Sequence, residues 1–314
     1  SGIDSLTAVE FVNQVNKDLN LSLPATLLFE YTTIDVLSSY IATQIDWMGG
    51  DDGQELETQS RDKTQPLSYA QKRMWFFEEL FPGSPLYHIQ VGVSFTGNFR
   101  EQALRDALSA LVKRHESLRT VYLNEGGQPA QRILNDLPIP LEVNDISGKS
   151  GGAFDDALSA YKKEDGNTPF DFTTGPLIRG RLVKVQPETF HFYLTLHHII
   201  ADGWSVSLLL RDLGMFYDAY ARKVPPALPE LPLGYLEYST WHNRHMQGDV
   251  LEDGIDFWME ELSGQRSLTL PQDGEAIAAG SFEGVKVPFY LSETLLESVK
   301  TVARDMDATL YVVL

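Results

Sequence analysis

The sequence predicts a small all-α bundle followed by an α+β sandwich. Three observations carry this reading. Residues 1–46 keep apolar side chains at helical spacing. Residues 49–65, GGDDGQELETQSRDKTQ, have no apolar period. From Pro66 onward, alternating strand patterns interleave with amphipathic helices and hairpin-like links, which favours an α+β arrangement over a doubly wound parallel sheet.

The elements follow in order. Asp4 can cap a helix with Leu6, Val9, Val12, Val15 and Leu19 on one face. Pro24 opens a second helix, PATLLFEY, and Thr33 can cap a third carrying Ile34, Leu37, Ile41 and Ile45. Segment 49–65, rich in Gly, Gln and acids, reads as an exposed linker. Beyond it, 67–80 reads as a helix, 90–97 as a strand, and 100–120 as one long amphipathic helix. Residues 121–123 and 131–134 read as a hairpin around NEGGQ. A helix over 154–163, strands over 177–185 and 190–198, and a helix over 206–222 complete the pattern.

Composition narrows the function. The 314 residues include 44 acidic and 25 basic side chains, a net charge of −19, which repels phosphate backbones and argues against nucleic-acid partners. There is no cysteine, which excludes disulfides, thiol nucleophiles and cysteine metal sites. No stretch has the length of a membrane span, and SGIDSLTAVEF lacks the regions of a signal peptide, so a cytoplasmic protein with no membrane partner is expected. The chain opens in a turn leading into a helix and stops at TLYVVL inside an apolar period, which reads as a fragment of a larger polypeptide.

Two motifs carry chemistry. GIDSL places Ser5 in the first turn of a helix, where free N–H groups and the positive dipole end favour an attached phosphate. Taken alone, Ser5 reads as part of an N-terminal cap, and only its context favours an attachment site. GIDSL followed by LPATLLFEYTTIDVLSSYIA resembles the phosphopantetheine-dependent carrier domains, closer to polyketide acyl carriers than to peptidyl carriers. That resemblance implies a phosphopantetheine arm on Ser5, a phosphopantetheinyl transferase to install it, and upstream synthase domains to load it. The family's first helix would precede Ser1.

The second motif is HHIIADG, at the end of the apolar strand FHFYLTLHH. Successive strand side chains point to opposite faces, so His197 and His198 cannot share a task. A catalytic imidazole at a strand end, beside a turn and a helix start, makes a reaction site; two ordinary histidines in a half-buried strand would look the same without further motifs. Gly203 permits close backbone approach or a positive φ. SYAQKRMWFFEE, RHESLRTVY and YLEYSTWH accompany it in order, the last with Glu237 where the pattern usually has Asp. Together the four motifs resemble the condensation domains of non-ribosomal peptide synthetases. The implied fold is a pair of chloramphenicol-acetyltransferase-like lobes, with most of the second lobe outside this sequence. The expected division is a partial carrier at 1–48, a linker at 49–65, an N-terminal lobe at 66–240, and the lobe junction with the start of a second lobe at 241–314.

The resemblance implies aminolysis of a thioester. An amine on a downstream peptidyl carrier attacks a carrier-bound acyl group, giving an amide and a free thiol. His198 would sit at the centre of the tunnel, where it could accept the amine proton, orient the amine or stabilise the tetrahedral intermediate. The Gly203 N–H is a candidate contact for the oxyanion. His197 reads as structural. Asp202 reads as a scaffold acid paired with Arg114 or Arg119, both of which would otherwise read as cations suited to a helix end. The alternatives are a coenzyme A-dependent acyltransferase, an epimerisation domain, and a non-catalytic recruitment module of condensation-like fold. A heterocyclisation domain usually has aspartates where this chain has its histidine pair.

Overall fold

The computed structural model describes residues 58–265, 287, 289–306 and 308–314, together with positions 11, 12, 14–16, 19, 21, 23, 24, 27, 36–38, 40 and 41. The chain forms two compact units, Leu56–Glu283 and a second made of Ser1–Glu55 with Gly284–Leu314. Ser5 lies outside the described residues.

In the larger unit, strands β2 (His88–Thr96), β5 (Leu141–Asp145), β6 (Ile178–Gln186) and β7 (Thr189–His197) form a sheet in the order β2-β7-β6-β5. β7 is antiparallel to both of its neighbours, and β5 runs parallel to β6. A smaller antiparallel sheet joins β1 (Gln65–Pro66), β4 (Gln128–Ile133) and β3 (Thr120–Glu125) in the order β1-β4-β3. The helices are α1 (Tyr69–Leu80), α2 (Glu101–Arg114), α3 (Gly152–Asn167), α4 (Gly203–Arg222), α5 (Tyr235–His245) and α6 (Asp249–Glu261).

The period-2 pattern of β7 divides the core. Phe192, Leu194 and Leu196 join Leu104, Leu108 and Leu111 of α2 and Leu209, Leu213 and Phe216 of α4 in one apolar cluster. Val183, Val185 and Ile146 instead meet Phe154, Leu158 and Tyr161 of α3, with Tyr193. Each fully buried Leu, Ile or Phe contributes about 1.5–3 kcal/mol. These clusters fasten β7, and with it the start of HHIIADG, between helices on both sides.

Several expected boundaries move. The helix expected over 100–120 stops at Arg114, and Glu116–Arg119 forms a separate 3₁₀ turn. Arg114 and His115 both turn towards Asp212 of α4, which a continuous helix would not allow (consecutive helical residues face different ways). Strand β5 is absent from the sequence reading. It is half-exposed and follows Pro138 and Pro140, so it carries no clear alternation. The linker expected over 49–65 also ends earlier. Gln65 pairs with Gln131, and Arg61 bonds Glu116 at 2.9 Å and Glu237 at 3.0 Å. Residues 58–65 therefore belong to the larger unit. A lobe boundary at 240/241 would cut α5, whose Leu236, Glu237 and Ser239 are buried in the same unit.

In the second unit, Val12, Leu21, Leu23, Leu27 and Leu37 are buried together, with Val15, Tyr40 and Ile41 packed against them. Asn16 closes a local turn, its Nδ2 donating to Leu23 O at 2.9 Å and its Oδ1 accepting from Leu23 N at 2.7 Å. Helices α7 (Glu293–Asp305) and α8 (Leu310–Val313) follow in the C-terminal stretch. Among the described residues no helix is long and apolar enough to cross a membrane.

Asp212 ties α2 to α4. It is 0% exposed, and its Oδ2 accepts from Arg114 Nε and His115 Nε2, each at 2.9 Å. Its Oδ1 accepts from Arg211 Nη2 at 2.8 Å. Burial opposes ionisation, but these three donors outweigh it and hold the carboxyl below the usual range. Asp212→Ala removes the shared acceptor of Arg114 and His115, so urea denaturation at pH 7 is expected to show a loss of about 1–3 kcal/mol, moderated by the groove beside Arg114. A carboxyl with a lowered folded pKa stabilises above its unfolded value of 3.8, so the gap between variant and wild type should shrink as pH falls below that value.

Candidate active site

β7 ends at His197, and residues 198–200 form a turn before α4 begins at Gly203. The His197 ring is buried at 1% exposure, with Phe172 at 4.7 Å between ring centroids, His88 at 5.9 Å and Tyr87 at 6.1 Å. Its Nδ1 accepts the Ile199 N–H at 3.1 Å, which assigns the remaining proton of the neutral ring to Nε2. Burial, with His88 and His198 nearby, lowers its pKa to about 3. His197 is thus a neutral structural acceptor that closes the turn.

His198 takes the other direction. Its backbone N–H donates to Tyr87 O at 2.8 Å, and its ring lies edge-on to Tyr87 at 6.4 Å. It lines a cavity of about 330 Å³ with Ala70, Arg73, Met74, Ile200, Asp202 and Tyr235. Its Nδ1 is buried without a hydrogen-bond partner among the described residues. An imidazole that lines a cavity can exchange a proton with a bound group through the nitrogen it exposes there, which the buried Nδ1 is not. A larger groove of about 730 Å³ runs past Arg61, Lys113, Arg114 and Glu237, but Arg61 and Arg114 are paired with carboxylates and it does not contain His198.

The expected pairing of Asp202 with Arg114 or Arg119 does not occur. Asp202 is the N-cap of α4, accepting from Ser205 N at 2.8 Å and Ser205 Oγ at 2.6 Å. Burial raises its pKa, but the two Ser205 bonds prevail and keep the carboxyl below its ordinary value. Arg114 belongs to Asp212. Arg119 donates to Leu134 O and reaches Glu116 Oε1 at 3.4 Å. An exposed acid three residues from a serine finds its partner locally, and the buried acid further along α4 takes the arginine. Gly203 has no positive φ, and a Cβ there would meet nothing within 4 Å. The fold therefore does not require glycine at this position. The Gly203 amide is a first-turn donor with no acceptor among the described residues, next to the cavity residues Asp202 and Ser205.

Residues 61–314 match the family model of the Condensation domain. The chain belongs to the condensation domain family. Residues 1–41 match the phosphopantetheine attachment site. A linear gramicidin synthase of Brevibacillus parabrevis is 34% identical over 314 residues, all of this chain and 6% of that protein. Phosphinothricin tripeptide synthetase PhsC of Streptomyces viridochromogenes is 34% identical over 249 residues, 79% of this chain and 23% of that protein. The chain spans less than a quarter of either relative. Among solved structures, SgcC5 protein from Streptomyces globisporus gives a TM-score of 0.63 at 27% identity, covering 79% of this chain and 57% of that one. The starter condensation domain of rhizomide synthetase RzmA gives 0.57 at 23% identity, covering 65% and 49%, a likeness of fold.

In this condensation lobe the four motifs meet around the His198 turn. Ser68 and Gln71 cap α1 reciprocally, Ser68 Oγ accepting from Gln71 N at 3.2 Å and Gln71 Oε1 from Ser68 N at 2.9 Å. Ser68 Oγ also meets Tyr235 OH at 2.9 Å. Gln71, Tyr122, Tyr235 and Asp212 are missing from the sequence-based site. Gln71, Tyr122 and Tyr235 stand inside motifs and Asp212 further along α4, and the signal that could have found them was polar residues at otherwise apolar helix and strand positions.

The His197 geometry sets a pH dependence. The unfolded ring titrates near 6.5 and the folded ring near 3, so the unfolded state binds more protons between those values. Stability from this group is complete above 6.5 and declines towards pH 3 by up to about 1.4 kcal/mol per pH unit. His197→Asn should melt earlier at pH 7.5 and show a shallower acid-side decline, as read by thermal unfolding across that range.

Proposed function

We propose that this protein forms an amide by aminolysis of a carrier-bound acyl thioester. The observation that carries the reading is His198 lining a cavity at the turn between β7 and α4. The donor acyl group hangs on a phosphopantetheine arm attached to Ser5 or its equivalent, and the amine arrives on a downstream peptidyl carrier. The amine nitrogen attacks the thioester carbonyl, the tetrahedral intermediate collapses, and the C–S bond breaks to release a thiol. His198 orients the amine, accepts its proton as the C–N bond forms and returns a proton to the departing sulfur. Such general-base help is worth about 10²–10⁴-fold. The Gly203 amide at the N-terminus of the 20-residue helix α4, which adjoins the cavity residues Asp202 and Ser205, would meet developing negative charge. His197 and Asp202 act as structure, the first by closing the turn and the second by capping α4.

The match of residues 1–41 to an attachment site supports a tethered donor over soluble coenzyme A. GIDSL and LFEYTT support a polyketide-type acyl chain on that carrier, loaded by upstream synthase domains. A phosphopantetheinyl transferase would modify Ser5, and the work would be cytoplasmic.

In the full-length protein with both carriers loaded, His198→Ala is expected to fold normally and lose most single-turnover amide product, by about 10²-fold or more. A full-rate His198→Ala protein overturns this role and favours a recruitment module. Incubation with a phosphopantetheinyl transferase and coenzyme A should add one arm, seen by intact mass. Persistence of that mass increase in Ser5→Ala would move the attachment point elsewhere.

A further inference from the structure

The turn that carries His198 is held by a buried polar network, one member of which, Gln71, also borders the His198 cavity. Tyr122 of β3 is 1% exposed, and its hydroxyl donates to Ile199 O, the carbonyl of the residue immediately after His198, at 3.2 Å. The same hydroxyl accepts from Gln71 Nε2 at 3.1 Å. Gln71 is 3% exposed, and its second Nε2 proton reaches Gln131 Oε1 at 3.4 Å. Gln131 Nε2 donates to Pro66 O at 3.0 Å and to Ser239 Oγ at 3.2 Å, and Ser239 donates to Leu236 O at 3.1 Å.

The donor and acceptor arithmetic closes. Gln71 uses both amide protons and its carbonyl, Gln131 does the same, and Tyr122 accepts once and donates once. Burial pushes the Tyr122 phenol far above its ordinary pKa, so it remains a donor at every working pH. A fully satisfied buried network is rigid, because moving one member strands another. The Tyr122 backbone is anchored as well, its N–H donating to Phe172 O at 2.8 Å, while the Phe172 ring packs against His197. One end of the network is thus fixed by β1, β4 and α5, and the other end grips the turn just after His198.

We propose that Tyr122, oriented by Gln71, is a positioning residue that sets the direction of the His198 ring in its cavity. Phenylalanine at 122 would fill the same space and leave the Ile199 carbonyl free to rotate. The segment that follows His198 would then keep Ile199 N on His197 Nδ1 and Ile200 N on His197 O, and lose its bond at the Ile199 carbonyl. The proposal rests on the reading that His198 serves amide formation, but its first test does not.

The first measurement is the rate at which diethyl pyrocarbonate modifies His198 in the full-length protein, followed by peptide mass mapping, with exposed His245 as internal reference. Tyr122→Phe is expected to change the His198 rate at least threefold and leave His245 unchanged. The second is single-turnover amide formation across a range of loaded-carrier concentration. Tyr122→Phe should lower the maximal rate at least tenfold with the half-saturating concentration unchanged. Leu108→Ala, a core truncation outside the network, supplies a variant weakened by packing alone, with both assays run below either variant's unfolding temperature. An unchanged His198 labelling rate overturns the proposal. So does a rate loss that Leu108→Ala reproduces, or one confined to half-saturation. If Tyr122→Phe does not fold, Gln71→Met, which frees the Tyr122 hydroxyl from its donor, is put through the same labelling test, where an unchanged rate again overturns it. A wild-type protein that makes no amide sinks the proposed function, and the labelling result still decides this point.

Discussion

The placement of an uncharged imidazole in the core at the end of β7 is the constraint on which the site depends. Desolvation keeps His197 neutral, and a neutral ring with a free Nδ1 lone pair can accept the Ile199 amide. That bond bends the chain sharply after the strand. The turn then presents His198 to a cavity in place of the sheet interior, and α4 starts at Gly203. A charged His197 would repel the amide and face apolar rings with no counter-ion. The two adjacent histidines therefore work in different solvents, one dry and one open.

Around this turn the protein uses two kinds of polar interior. The Asp212 cluster is ionic and joins α2 to α4, helping to set the position at which α4 begins. The Gln71–Tyr122–Gln131 network is neutral and joins α1, β3, β4 and α5 to the turn itself. Neutral networks hold direction without the large desolvation penalty of buried charge, which suits a group that must fix geometry beside a reacting centre. Ionic clusters tolerate more water at their edges, and the Asp212 cluster accordingly sits beside the open groove at Arg114 and Lys113.

Much of this was legible residue by residue. The helix over 67–80 was read from its pattern, and the capping box that starts it, Ser and Gln three apart, was a legible signal left unread. Strand alternation predicted different surroundings for His197 and His198, and they differ, but β7 ends at His197 and it is the turn that directs His198. Other features carried no local signal. β5 has prolines before it and a half-exposed face, so its pairing with β6 is decided by the partner strand. The early stop of α2 at Arg114 follows from an acid 98 positions away. Asp202 looked like the natural partner for an arginine because it is the acid within the motif, yet Ser205 lies closer along the chain and captures it as a cap.

The amino-acid sequence by itself determined the class of fold, the order of carrier and condensation segments, and the identity of the motif that bears the histidines. Periodicity, capping pairs and turn residues act over a few positions, so they can be read from order alone. Tertiary structure decided which acid meets which arginine, that residues 58–65 belong to the larger unit, and that Tyr122 reaches the carbonyl just after His198. These are contacts between residues some 55 to 98 positions apart, and hydrogen bonds and ion pairs form only at about 3 Å. Nothing in local propensity encodes that distance; only the packing of β7 between its helices brings those groups within reach.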